Sequence, residues 1–396
     1  MNQEDTFSPA QSLRDGASHT PRGPGLMKAA RYHRIGEPFS IDLIDKPQPR
    51  AVDVLVEVKA CGVVPNFHTV LEHIADHPTM SAPPLPAIYG LDTSGVIAER
   101  GAQVYGFSVG DRVYVNPVRF CGACRACRRG KQLSCDYVTL NGYFGTGAHS
   151  SKMFEDYRYG GFAEFMTAPQ YSLVKLPDTL SFETAARWGY LGTAYSGLRK
   201  AGVNMSSTVL INGVSGTLGL GAVMWALALG APKVLGVGRD RELLASVKAL
   251  APDRIEVLSV TDGADVAAWA RSHTDGHGAD VVLDALPTGS APDTFLAGFS
   301  ALGRGGVHVN IGGVYAPTAI SPILVMNANQ SLIGSFWFTT AEGQEMADLV
   351  GSGMANLDAF EHRVFPLERI DEALTAIDSR RGGFSNFVVQ PGGGPG

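Results

Sequence analysis

The sequence predicts an α/β protein in two parts: a β-rich barrel or sandwich and a doubly wound parallel sheet. Three observations predict it. The chain has 396 residues, more than a single core comfortably serves. Residues 26–183 hold short strands punctuated by Gly and Pro. Beyond residue 200, strands and helices alternate in units of βαβ size, which implies a parallel sheet covered on both faces.

Taken in order, residues 1–25 are polar, carry Pro and Gly, and lack the apolar stretch of a secretory signal; they read as a loose tail, as does 391–396. "VDVLVEVKACGV" (52–63) alternates apolar and polar residues like a half-buried strand. "VGDRVYVNP" (109–117) is a turn and a strand, and "GGFAEFMTAP" (160–169) is a strand closed by Pro. Ser181 opens a helix with Glu183 in its first turn, though Thr184 stands where a capping-box Glu would. "TVLING" (208–213) is a strand whose following helix runs to about Leu229. "KVLGVG" (233–238) and "RELLASVKAL" (241–250) repeat the unit, and "DVVLDAL" (280–286) and "GGVHVNIGG" (305–313) are later strands.

Composition excludes several classes. A net charge of −6 gives no basic footprint for nucleic acid. The best apolar run, "LGLGAVMWALALGA" (218–231), is shorter than the roughly 20 residues that span a membrane. A cytoplasmic, reducing location is expected, where clustered cysteines favour metal over disulfides. Four of the five cysteines fall in "CGACRACRRGKQLSC" (121–135). Cys121, Cys124, Cys127 and Cys135 offer four thiolates, enough to close a tetrahedral zinc shell with no position left for water or substrate. Such a zinc is structural. Arg125, Arg128, Arg129 and Lys131 favour the thiolate forms.

"NGVSGTLG" (212–219) leaves the first strand of the alternating region and opens its helix, the context a dinucleotide loop requires. Gly213, Gly216 and Gly219 permit the turn and close packing, with Ser215 in place of the middle Gly of the usual fingerprint. Thr217 and Leu218 begin the helix whose N-terminus would face pyrophosphate. At the end of the second strand stand Gly238 and Arg239, followed by Arg241, a small residue and positive charge suited to the 2′-phosphate of NADP(H). Asp240 would serve NAD instead if the register shifted by a residue or two. Ile311 and Gly312, at the end of a later strand, complete the expected cofactor site.

Together these residues resemble the medium-chain dehydrogenase/reductase family. The carriers are the cysteine lobe (119–137), "GDRV" (110–113), "GGFAEF" (160–165), the glycine loop and "GADVVLDAL" (278–286), and the likeness spans residues 26–390. It implies a GroES-like catalytic domain over 26–183, a Rossmann domain over 184–330, a return to the catalytic domain over 331–390, a cleft between the domains, and a homodimer or homotetramer. The family's zinc alcohol dehydrogenases hold a catalytic zinc through two Cys and a His. At the corresponding places this chain has Val64, Leu91 and Gly189, none able to bind zinc. Cys61 is a small buried hydrophobe on a strand; His68, His73 and His77, with Asp92, are candidate material for a rebuilt site.

Without that metal, conjugate reduction is the expected chemistry, because an enolate can be stabilised by hydrogen-bond donors alone. "NFHTVL" (66–71) and "GLDTSG" (90–95) are similar to segments of metal-free enoyl reductases, although those branches usually lack the cysteine lobe. Asn66 is the candidate donor to a substrate oxygen, and His68 the candidate general acid. Asp92 would orient a neighbour or bind Arg, and Tyr190 and Thr193 would direct hydroxyls at the nicotinamide, with capping of its helix the alternative for Thr193. The aromatic residues of 141–161, including Tyr143, Phe144, Phe154, Tyr157 and Tyr159, are candidates for a lid, and "GSFWFTT" (334–340) for a cleft wall, which together suit a bulky hydrophobic small molecule. The expected activity is NADPH-dependent reduction of an activated C=C or C=N bond. The alternatives are a zinc-independent alcohol dehydrogenase or carbonyl reductase, and an NADPH-binding protein with little turnover.

Overall fold

The structure, a computed structural model, describes residues 25–392 apart from 75, 76 and 78. The expected tails therefore lie almost wholly outside the described residues. Among those residues no helix is long and apolar enough to cross a membrane.

A seven-stranded sheet dominates the first part. Its strands run in the order Leu173–Lys175, Arg112–Val115, Asp92–Arg100, Asp53–Gly62, Ser385–Gln390 and Glu361–Pro366, with Phe165–Pro169 also paired to Asp53–Gly62. The Asp53–Gly62 strand was expected to be half-buried from its alternation. Only Glu57 and Lys59 are partly exposed, because this strand pairs with three others and is covered on both faces. Its buried Asp53 is held by Arg50 Nε at 2.7 Å and by the Tyr157 hydroxyl at 3.1 Å. A smaller sheet of Val118–Arg119, Thr139–Leu140 and Phe144–Gly145 brackets the cysteine lobe.

The six-stranded sheet is wholly parallel, ordered Ile255–Ser259, Lys233–Gly238, Thr208–Asn212, Ala279–Asp284, Leu302–Asn310 and Ser331–Gly334. In chain order that is 3-2-1-4-5-6, the doubly wound arrangement whose ligand crevice opens between the first and fourth strands, where the winding reverses. The helix Thr217–Ala228 is apolar on nearly every side and correspondingly buried. It packs on the helix Trp188–Lys200, where Trp188 and Trp225 meet edge to face at 6.4 Å. Ser181 accepts a hydrogen bond from Thr184 N and caps the short helix Phe182–Ala185.

The two parts touch at a tight contact. Gly383, in the turn that leads into the Ser385–Gln390 strand, donates its N–H to Ser215 O at 2.8 Å. A Cβ built on Gly383 would lie 2.4 Å from Gly216 O, so only glycine permits this approach.

Candidate active site

The glycine loop adopts the geometry its sequence requires. Gly213 has φ +87°, and Gly213 and Val214 both donate to Val237 O, tying the loop to the neighbouring strand. A Cβ on Gly219 would lie 2.2 Å from Gly213 O, so the helix start can pack this closely only with glycine. Gly216 is the N-cap of the helix begun by Thr217 and Leu218. Ile311 and Gly312 follow the Leu302–Asn310 strand; Ile311 N donates to Asp284 O at 3.0 Å. These residues lie together at the carboxyl ends of the parallel strands. Asp284 sits there too, buried, accepting from Asn212 Nδ2 at 3.0 Å, and burial pushes its carboxyl up to about 6.

The end of the second strand decides what Asp240 does. Its carboxylate accepts from Glu242 N and Leu243 N at 2.9 and 3.0 Å and caps the next helix. Arg241 pairs with Asp262. Arg239 is exposed, beside Gly238.

The sulfurs of Cys121, Cys124, Cys127 and Cys135 lie within 4.8 Å of one another. Backbone N–H groups of Cys121 and Tyr137 point at Cys135 Sγ, and those of Ala123 and Cys124 at Cys121 Sγ, at 3.3–3.4 Å. Donors aimed at sulfur favour thiolates, and four converging thiolates fit a tetrahedral zinc.

No comparable cluster of His, Cys, Asp and Glu exists elsewhere among the described residues. Val64 and Leu91 are buried among apolar side chains, and Cys61 is fully buried, its thiol pushed up by burial and facing Thr93 Oγ1. Asp92 is buried and doubly anchored. Its Oδ1 accepts from the Tyr114 hydroxyl at 2.8 Å and from Gly189 N at 2.9 Å. Burial outweighs those bonds and the nearby Arg187, and pushes the carboxyl up to about 7. Arg187, buried and drawn down to about 10 by desolvation, donates to Ser385 O and Gly383 O, both at 2.7 Å. It therefore fixes the turn that touches the glycine loop.

Asn66 and Tyr190 come together. Asn66 Oδ1 accepts from the Tyr190 hydroxyl at 3.2 Å and from the Tyr143 hydroxyl at 3.1 Å. His68 is exposed on the short helix Phe67–His73, two residues from Asn66. The side chain of His73 lies outside what the structure describes. Thr193 spends its hydroxyl on Gly189 O, one turn back in its own helix, at 2.8 Å. The 141–161 run is no loose cover: Tyr143, Phe144, Phe154 and Tyr157 are buried, and Ser150–Asp156 is helical. Phe144 instead meets Phe336 at 6.4 Å, with Phe336 partly exposed at the apolar wall. Tyr143, Tyr114 and Arg187 were the residues sequence reasoning missed or misplaced.

The chain matches the alcohol dehydrogenase GroES-like domain family over residues 50–178 and the zinc-binding dehydrogenase family over 217–352. It belongs to the medium-chain dehydrogenase/reductase family. Within that family it is 32% identical to an alcohol dehydrogenase of Geobacillus stearothermophilus, over 87% of this chain and 94% of that protein. It is 30% identical to an NAD-dependent alcohol dehydrogenase of Sulfolobus acidocaldarius, over 72% and 77%. Among solved structures it superposes on AibC with a TM-score of 0.78 at 27% identity, covering 97% of this chain and all of that one. A thermostable alcohol dehydrogenase from Pyrobaculum aerophilum gives 0.73 at 27%, covering 93% and 100%. The chain is thus an oxidoreductase of the zinc-type dehydrogenase-like group, built from a GroES-like and a Rossmann fold.

Proposed function

We propose that this chain is an NADP(H)-dependent reductase of a conjugated C=C or C=N bond in a bulky, hydrophobic small molecule, with one structural zinc and no catalytic zinc. One observation carries the reading. Where the family's metal-dependent dehydrogenases hold zinc, this chain has Val64, Leu91 and Gly189, and the Asp92 carboxylate is turned onto Gly189 instead.

Bound NADPH would supply a hydride. The chain's own groups would do the rest. The Asn66 amide would donate to the substrate oxygen as negative charge develops there, the task zinc performs in carbonyl reduction. His68, exposed beside it, would supply the proton to carbon. The choice of NADP(H) rests on Asp240, whose carboxylate is engaged in capping, and on Arg239, exposed beside Gly238, which would meet a 2′-phosphate. The cofactor would lie along Gly213–Gly219, Gly238, Arg239, Arg241, Ile311 and Gly312. Cys121, Cys124, Cys127 and Cys135 would hold the zinc. We assign residues 26–183 and 331–390 to the catalytic domain and 184–330 to the cofactor domain, in a cytoplasmic homodimer or homotetramer.

The test is to supply NADPH deuterated at C4 with a bulky conjugated enone. Deuterium on the β-carbon of a saturated ketone is expected; deuterium on a carbinol carbon overturns the reading.

A further inference from the structure

Asn66 stands at the N-cap of the Phe67–His73 helix, where an Asn side chain ordinarily bonds a free backbone N–H. Here it makes no such bond. Its Oδ1 instead takes the protons of two phenols, Tyr143 at 3.1 Å and Tyr190 at 3.2 Å. Burial raises both phenols above their ordinary value, so they remain neutral donors at any working pH. Tyr143 is fixed in turn: it is buried, lies stacked on Phe67 at 6.0 Å and 9°, and touches Phe144 at 4.7 Å. A carboxamide oxygen has two lone pairs, and two donors fill them. Asn66 is exposed, and among the described residues its amide nitrogen, which has donors only, has no acceptor.

We propose that Tyr143 and Tyr190 are positioning residues that lock the Asn66 carboxamide with its N–H groups toward the substrate, and that this selects substrates presenting an acceptor oxygen conjugated to the reducible bond. Enones, enals and enoyl esters or thioesters meet that condition. Iminium substrates, which offer N–H and positive charge, face a donor and are rejected. The inference rests on the reductase reading of this site and narrows it from C=C or C=N to carbonyl-conjugated C=C.

The test compares the wild type with Tyr143→Phe, Tyr190→Phe and Asn66→Asp, using NADPH with 2-cyclohexenone and with a cyclic iminium salt. Asn66→Asp keeps the shape and removes both donors; kcat on the enone should fall about 100-fold or more. Tyr143→Phe should lower kcat about tenfold with KM for the enone nearly unchanged, and should leave NADPH binding unaltered. A purely structural Tyr143 would lower the melting temperature and leave kcat per folded enzyme unchanged, which overturns the proposal, as does faster turnover of the iminium salt. A second readout needs no turnover. In protein labelled with 15N-asparagine and loaded with NADP+, cyclohexanone should shift one side-chain NH2 pair that is missing in Asn66→Asp, and the shift should be lost in Tyr143→Phe. No shift in the wild type overturns the clamp. Allylic alcohol as the enone product would overturn the C=C reading alone, leaving the clamp to the variants and the NMR signal.

Discussion

Gly189 donates its N–H to Asp92 Oδ1 across 2.9 Å, and a Cβ built on Gly189 would lie 2.2 Å from that same oxygen. The carboxylate therefore fills the place of any side chain at 189, including a metal-binding thiol. In an ordinary helix interior Gly→Ala gains about 1 kcal/mol. At this position the steric conflict reverses the sign. Gly189→Ala should lose about 1–3 kcal/mol, read as a lower urea midpoint at unchanged slope. A variant as stable as the parent would show that Asp92 turns away freely.

Asp92 also sets a pH dependence. Its folded value of about 7 lies above the ordinary 3.8, so the folded chain binds the proton more tightly than the unfolded one. That contribution is complete below pH 3.8 and is lost as pH rises through 7. Asp92→Asn keeps an oxygen for Tyr114 and Gly189 and cannot ionise. The stability of the variant relative to wild type should rise between pH 5 and pH 8, measured by urea unfolding at each pH; a constant difference would contradict the assigned shift.

His308 carries the opposite slope. It is fully buried between Phe295 and Phe299, neither ring nitrogen has a hydrogen-bond partner among the described residues, and desolvation lowers it from 6.5 to about 4. A base with a depressed folded value contributes stability above 6.5 that is lost as pH falls toward 4. His308→Leu should therefore gain on the wild type by on the order of 2 kcal/mol at pH 5 relative to pH 8. Parallel pH profiles for the two proteins would mean the ring is hydrated.

Arg239 should govern the choice of cofactor. Arg239→Ala should raise Kd for NADPH about tenfold, the scale of one lost charge-assisted hydrogen bond, and leave NADH almost unchanged. Fluorescence titration with both cofactors checks it, and an equal loss for both would return the ribose contact to Asp240.

The parallel sheet was legible because its signals are local. "KVLGVG" reads as a strand over its observed span, and the glycine loop lies between a strand and a helix as its spacing demands. The candidate site was legible only in part. Asn66 and Tyr190 could be named, but Tyr143 was placed in a lid, since nothing near it in sequence tells a buried phenol from a mobile one. Tyr114 reaches Asp92 from 22 residues away, and Arg187 reaches Ser385 from 198, contacts that only the folded sheet creates. The Thr193 hydroxyl donates to Gly189 O within its own helix, a back-bond that the residue type alone does not distinguish from a contact with a ligand.

The most direct measurement is the zinc content of the fully active enzyme. Elemental analysis should find one zinc per chain, and Cys124→Ser should remove it, lowering the melting temperature while the enzyme that remains folded still reduces an enone. Two zinc ions per chain, with activity proportional to the second, would contradict the central claim that this active site works through hydrogen-bond donors in place of a metal.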